Sequence, residues 1–469
     1  MNKMKYKPVI QGAFLGLIAL GLGSLMYKLN TEPEAISEID NRMLTEWEVT
    51  DEESFTGMVD DYLSDRIGFR SQAIDFYTEL NNQVFGMMVH PQYTWGKDGY
   101  VFSKMSNETC DEEFQDLFCD YLKRVQDYCE ERGVPFIYCL NPSKTSVYQE
   151  YLPEGYNYQD LTNKSMEKKL KEYGINYISN EELLIEKHKT EQVYNKEYDA
   201  GHWNELGAFY GTNHLLEKVA EYFPSVKQLE FSDFEIYDEE ELSLPVSKFN
   251  IDEIVPYFDN LKEGDLEDHT EEYSALELDK DYNEKVILVN QGEDTEDLPR
   301  VLMFQGSYYN ANERYRLIES SFKEYDAIHN YENFLDFDYY FNIFQPDVVI
   351  LETAEYTLNG NYFSWDGLHY KILNPLLDLS AHEGDLRNLS DFSYEVEEEE
   401  GCLVKLKIPR EELGIGDTWC ARGYLIMDGK QYDFKVEEDG SVSCTLDEKS
   451  LKEEGARVYF EAWVEGGGL

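Results

Sequence analysis

The chain has 469 residues, too many for one ordinary hydrophobic core, so two or three domains are expected. Its 42% hydrophobic and 14% aromatic content, with 37 Tyr, is enough to pack such cores and argues against disorder throughout. Against 41 basic residues stand 96 acidic ones, and the net charge of −55 repels nucleic acid and anionic headgroups, so neither is an expected partner.

Lys3, Lys5 and Lys7 precede the apolar run "PVIQGAFLGLIALGLGSLMY", residues 8–27. A helix of about 20 residues spans roughly 30 Å, the thickness of the hydrocarbon layer. Lysines before the run and the acidic "NTEPEAISEID" after it predict a cytoplasmic tail at 1–7 and an extracytoplasmic bulk, in a single-pass cell-membrane protein. No small-x-small site follows, which favours an uncleaved signal-anchor over a cleaved signal peptide.

Residues 28–94 read as an extracytoplasmic linker and helix. Met58, Tyr62, Ile67 and Phe69, then Ile74, Tyr77 and Leu80, fall on helical faces. "WGKDGYVF" (95–102) predicts a hairpin. From there helix and strand alternate: "DEEFQDLFCDYLKRVQDYCEERG", "VPFIYCLNP", "NKSMEKKLKEYG", "INYISN" and "WNELGAFYGTNHLLEKVAEYF". That rhythm predicts a parallel sheet with helical crossovers over 95–378. Residues 225–298 read as an acidic insertion able to serve as a lid. The rhythm returns with "RVLMFQGSYYNANERYRLIESSF" and "PDVVILETAEYTL". After 381 short alternating strands and Asp-Gly turns predict a small β-sandwich, 381–469. Cys110, Cys119, Cys129, Cys139, Cys402, Cys420 and Cys444 match no zinc spacing and the acids no calcium loop, so no metal or cofactor is expected. Disulfides and buried free thiols both remain open.

Two segments carry chemistry. In "VLMFQGSYYN", Ser307 stands between a buried strand and a helix, which points its hydroxyl out of the carboxyl edge of the sheet, where open α/β folds bind ligands. The amides of Ser307 and Tyr308 could face a developing oxyanion. A serine there also serves as a helix N-cap, and as a nucleophile it needs a base. In "YDAGHWNELGAFYG", Asp199 and His202 enter a helix at a spacing that lets the carboxylate orient the imidazole. The bland reading packs His202 beside Trp203. "WDGLHYKIL" repeats the spacing as an alternative dyad, Asp366 and His369. The first pair is preferred, because an asparagine and an amphipathic helix follow it.

The ordered set "NRMLTEW", "DDYLSDRIGFR", "WGKDGYVF", "NPSKTSVYQEYLP", "DAGHWNELGAFYG", "VLMFQGSYYN" and "PDVVILETAEY" resembles the AlgJ/AlgX-like alginate O-acetyltransferases and their DHHW relatives. The resemblance runs from about Asn41 to Tyr356. It implies an SGNH-hydrolase-like, flavodoxin-like α/β fold with helices on both faces of a parallel sheet. It carries the triad Asp199, His202 and Ser307, and matches Lys144, Arg66 and Arg70, read chiefly as partners of buried acids. Lys144 and Trp203 are the candidate substrate contacts. Three features depart from the expected pattern: Ala200 and Gly201 separate Asp from His where the family usually has one residue, a spacing that looks like the Asp-x-x-His of ordinary SGNH hydrolases; Gln305-Gly306 stands where hydrolases have Gly-Asp; and Tyr356 stands where the family's arginine is expected. The expected activity is O-acetyl transfer to, or ester hydrolysis on, a cell-envelope polysaccharide, with a membrane-bound O-acyltransferase as partner. A non-catalytic glycan-binding or assembly module and D-alanyl transfer to teichoic acid are the other readings.

Overall fold

The runs "FIYCLN" and "VVILETA" are apolar on both faces, as strands covered by helices on each side must be, and both are buried along their whole length. A computed structural model describes residues 55–90, 92–104, 110–245, 249–293, 295–371, 384–398, 403–414, 419–427, 430–437, 439–447 and 455–463, with Leu373 and scattered positions between 15 and 47. The predicted span at 8–27 lies largely outside the described residues. No described helix is long and apolar enough to cross a membrane.

Helices α1 (Phe55–Arg66) and α2 (Arg70–Phe85) come first, joined through Phe69. Arg70 faces Asp65 at 3.9 Å, whereas Arg66 donates to the carbonyls of Thr45 (2.7 Å) and Leu44 (3.2 Å) as well. The hairpin of β1 (Tyr93–Trp95) and β2 (Val101–Ser103) follows. Helix α3 (Glu112–Glu131) starts where Asp111 accepts from Phe114 N at 2.9 Å, a cap worth about 1 kcal/mol. Its stripe of Phe114, Phe118, Tyr121, Leu122 and Val125 is fully buried, each large side chain contributing roughly 1.5–3 kcal/mol. Then come β3 (Phe136–Asn141), α4 (Leu161–Tyr173), β4 (Tyr177–Ser179), α5 (Glu181–His188) and α6 (Glu205–Ala220). A long hairpin, β5 (Phe234–Ser243) and β6 (Asn250–Asn260), leads to β7 (Leu266–Asp268), β8 (Lys285–Asn290) and β9 (Arg300–Gln305). Next are α7 (Ser307–Asn310), β10 (Glu324–His329), α8 (Phe337–Phe344), β11 (Val348–Ala354) and α9 (Trp365–Tyr370).

The main sheet has the order β4-β3-β11-β9-β10-β8-β7. Its first five strands are mutually parallel, while β8 and β7 add antiparallel at one edge. The sheet is therefore mixed, where an all-parallel one was expected. The difference comes from residues 225–298, which supply β7, β8 and the β5–β6 hairpin. Counted from β9, the parallel strands run 2-1-3-4-5, the flavodoxin-like order. This chain enters that order at its fourth strand. The order reverses between β9 and β11, and their carboxyl ends flank the crevice such folds use for ligands.

The C-terminal strands are β12 (Arg387–Asn388), β13 (Glu395–Glu398), β14 (Leu403–Ile408), β15 (Trp419–Met427), β16 (Lys430–Asp433), β17 (Lys435–Val436), β18 (Val442–Asp447) and β19 (Arg457–Trp463). They form two four-stranded sheets, β12-β19-β15-β16 and β13-β14-β18-β17, closed over Leu406, Ile408, Leu425, Val442 and Val458. Arg422 of β15 docks this sandwich on α8, its Nε 3.2 Å from Asp338 Oδ2. A cavity of about 510 Å³ lies between the two parts, lined by Arg132, Arg300, Asp347, Lys407 and Lys435 among others. It opens at the amino edge of the parallel strands, opposite Ser307. Cys119, Cys129, Cys139 and Cys444 are buried free thiols and Cys110 a partly buried one.

Candidate active site

Asn204 caps α6, accepting from Gly207 N at 2.9 Å. The preceding Trp203 is fully buried, and its indole N–H donates to the carbonyl of Tyr308 at 3.0 Å. Gly211 makes the room: a Cβ there would lie 2.3 Å from Trp203 Cζ3. One aromatic ring thus ties the helix after the histidine to the turn after β9.

Asp199 adopts a left-handed backbone, φ 53°, which short polar side chains tolerate. The turn brings its Oδ1 to 2.8 Å from His202 Nδ1 and 3.1 Å from the His202 amide. Its Oδ2 faces Arg314 Nη2 at 3.6 Å, and the same buried guanidinium donates to Glu205 at 3.1 Å. Burial alone would lift the Asp199 carboxyl. The charge and hydrogen bond of His202, with Arg314, hold it well below the usual carboxylate range. An anion at this position accepts a hydrogen bond from Nδ1–H and so favours the neutral tautomer whose Nε2 is an acceptor.

Ser307 opens α7, with Gly306 as its N-cap, so the serine is not the cap itself. Gly306 N donates to Glu352 Oε2 at 2.7 Å, and a Cβ on Gly306 would meet Asn330 Nδ2 at 2.9 Å. Ser307 Oγ is hydrogen-bonded to the hydroxyl of Tyr356, the second residue after β11. That hydroxyl is 3.4 Å from His202 Nε2. Among the described residues no hydrogen bond joins Ser307 directly to His202. The two loops are also tied from below, where the Tyr308 hydroxyl reaches Pro142 O (2.6 Å) and Gly201 O (3.1 Å). The Ser307 and Tyr308 amides begin a helix and so have no intrahelical acceptor.

A polar chain runs beneath the turn. Glu352 accepts from Gly306 and, at 2.9 Å, from Asn141 Nδ2; Asn141 accepts from Asn180 at 2.8 Å, and Asn180 pairs with His214 at 2.8 Å. Burial pushes the Glu352 carboxyl up to about 7 against the pull of those two donors. From the β5–β6 hairpin, Glu253 accepts from the successive amides of Lys196 (2.6 Å), Glu197 (2.7 Å) and Tyr198 (2.7 Å), the three residues before Asp199. The acidic segment therefore clamps this loop.

Trp203 and Lys144, the expected substrate contacts, are both buried. Lys144 Nζ donates to Val101 O at 2.6 Å and Lys196 O at 3.1 Å, not to an acid. Burial brings its ammonium down to about 7, with Glu253, Asp199 and Glu197 opposing. Both side chains support the site from behind and are out of a substrate's reach. Asp366 and His369 are exposed on α9, and no bond of the Ser307 network reaches them. Among the described residues no three His, Cys, Asp or Glu side chains converge as a metal site needs. Glu352, Arg314 and Glu253 were not singled out from the sequence. Only Glu352 had a signal, a lone acid inside an apolar strand.

Residues 94–246 match the family model described as SGNH hydrolase-like domain, acetyltransferase AlgX. The family resemblance is to AlgX. The AlgX-type region contains Lys144, Asp199 and His202, while Ser307 and Tyr356 lie beyond it. Among solved structures, Bacillus cereus PatB1 with a sulfonyl adduct is 15% identical, covering 59% of this chain and 99% of its own at a TM-score of 0.45. The O-acetyltransferase domain of Pseudomonas putida AlgJ is 15% identical, covering 62% and 98% at 0.39. A DHHW family protein from Eubacterium siraeum is 16% identical, covering 61% and 100% at 0.40. None of the curated proteins matches.

Proposed function

We propose that this chain is a serine O-acetyltransferase, or an esterase of the same chemistry, acting on a cell-envelope polysaccharide outside the cytoplasm. The observation that carries the reading is the meeting of the Asp199–His202 pair with the Ser307–Tyr356 pair at the β9/β11 crevice. The AlgX-type match supports acetyl transfer as the reaction class. Ser307 Oγ attacks the acyl carbonyl, forming a C–O bond while its proton passes toward His202. The tetrahedral oxyanion faces the amides of Ser307 and Tyr308, and collapse expels the donor oxygen with a proton from the imidazolium. A sugar hydroxyl then takes the acyl group from Ser307; water in its place makes the step hydrolytic. In this reading residues 8–27 anchor the chain, and a membrane-bound O-acyltransferase delivers the acyl group.

The test is covalent trapping of the full chain with a sulfonyl fluoride, read by peptide mass, beside acetyl release from an acetylated polysaccharide. Label on Ser307 and loss of both signals in Ser307→Ala are expected. Unlabelled Ser307 in protein that still releases acetyl overturns the assignment. A second reading, a glycan-holding module without chemistry, draws on the lack of a direct Ser307–His202 bond. It predicts glycan retention unchanged by Ser307→Ala and no acetyl release at all.

A further inference from the structure

We propose that Tyr356 is a catalytic residue, a phenol that relays the proton from Ser307 to His202. The inference rests on the reading of Ser307 as nucleophile. Asp199 Oδ1 accepts from His202 Nδ1–H at 2.8 Å, so in the neutral imidazole, the form a general base requires, Nε2 carries the lone pair and accepts. The group 3.4 Å from that lone pair is the Tyr356 hydroxyl, which must therefore donate to it. Having spent its proton on His202, the Tyr356 oxygen accepts from Ser307 Oγ. The whole chain thus has one direction: Ser307 O–H to Tyr356 O, Tyr356 O–H to His202 Nε2, His202 Nδ1–H to Asp199.

In the acylation step the Ser307 oxygen bonds to the acyl carbon as its O–H bond breaks. That proton goes to the Tyr356 oxygen, and the Tyr356 proton goes to His202 Nε2. The products are a neutral phenol, an imidazolium held by Asp199, and the tetrahedral anion. No charge is left on the tyrosine and no further reactant is needed. Collapse of the anion takes a proton from the imidazolium for the leaving oxygen.

Tyrosine suits this position because one oxygen both accepts and donates. An arginine, expected here from the family pattern, only donates and could not pass a serine proton onward. A tyrosine hydroxyl is ordinarily protonated up to about pH 10; desolvation of the hydroxyl end between Ser307 and His202, then Tyr362, Glu352 and Asp199, raise it further, although the ring edge is open to solvent. The hydroxyl therefore stays protonated throughout the working range. The ring also lies at the rim, 37% exposed, beside Tyr362 and His202.

The experiment is the burst of p-nitrophenol on acylation of the full chain by p-nitrophenyl acetate, followed in H2O/D2O mixtures. Wild type is expected to give a bowed proton inventory, reporting two protons in flight. Tyr356→Phe is expected to acylate roughly 10²-fold slower at unchanged KM, the low end of what general acid–base help supplies, with a straight inventory. A straight inventory in wild type overturns the relay without recourse to any variant. So does Tyr356→Phe that acylates as fast as wild type or faster, the result of a tyrosine that merely blocks the serine. Ser307→Ala separates the levels: with its burst abolished and Tyr356→Phe unaffected, only the relay falls. A full burst in Ser307→Ala removes the nucleophile reading and the relay with it.

Discussion

A carboxylate that is buried and still ionised must be held by positive charge, and Asp199 has Arg314 on one oxygen and the His202 imidazole on the other. Its folded titration lies below its unfolded one, near pH 4. The stability gained is then present above about pH 4 and lost as pH falls through the folded value. Asp199→Asn should melt below wild type at neutral pH, with the gap closing on acidification, and should lose roughly 10³- to 10⁴-fold in acyl transfer through the wrong tautomer. Glu352 has the opposite sign. Its carboxyl is raised to about 7, so its contribution is complete below its unfolded value, near 4.5, and is lost as pH rises through 7. The difference in Tm between wild type and Glu352→Gln should therefore move against wild type between pH 5 and 8, as differential scanning calorimetry can show. The placement of Asp199, His202 and Ser307 was legible because each stands in a local pattern: a turn, a helix start, a strand end. Arg314 was not, since a basic residue in "NANERYRL" gives no sign of the acids it will meet more than a hundred positions upstream.

At the scale of elements, the β5–β6 hairpin shows how little a charge-rich run reveals. "FEIYDEEELS" holds consecutive acids that strands usually avoid, and most of β5 is solvent-exposed. Nothing local predicts a ten-residue strand with nine of its residues paired. What fixes the hairpin is remote: Leu244, Phe249 and Ile251 pack on Tyr93, Val101 and Ala200, next to Asp199. Glu253 then gathers three amides in a row. Glu253→Ala should leave those donors to water and cost about 1–3 kcal/mol in chemical denaturation. On the proposed mechanism it should also lower acylation of Ser307 more than it lowers glycan retention, because the loop it frees carries His202. β7 and β8 were missed for a related reason, since a short apolar "KVILVN" inside acidic sequence looks isolated until β10 pairs with it.

At the scale of the whole molecule, the sandwich rests on the α/β part through Arg422, which meets Asp338 at 3.2 Å and Glu461 at 3.5 Å. Asp338 is fully buried. Arg422→Ala removes one partner of the buried Asp338 and its contacts to α8, a loss of up to about 3–5 kcal/mol. The expected outcome is an earlier, separate unfolding step of the C-terminal part in calorimetry, with Ser307 labelling retained. The layering of helices over a sheet, and the short alternating strands of the C-terminal part, could be read from hydrophobic period and turn residues. The strand order could not, because which strand lies beside which is decided by contacts across the whole chain. That order has a temporal side. β3 meets β11 through residues such as Asn141 and Glu352, 211 positions apart, and without β11 the early half of the sheet has an open edge. During vectorial synthesis, roughly three quarters of the polypeptide must emerge before the seam closes, so the crevice between β9 and β11 is completed late.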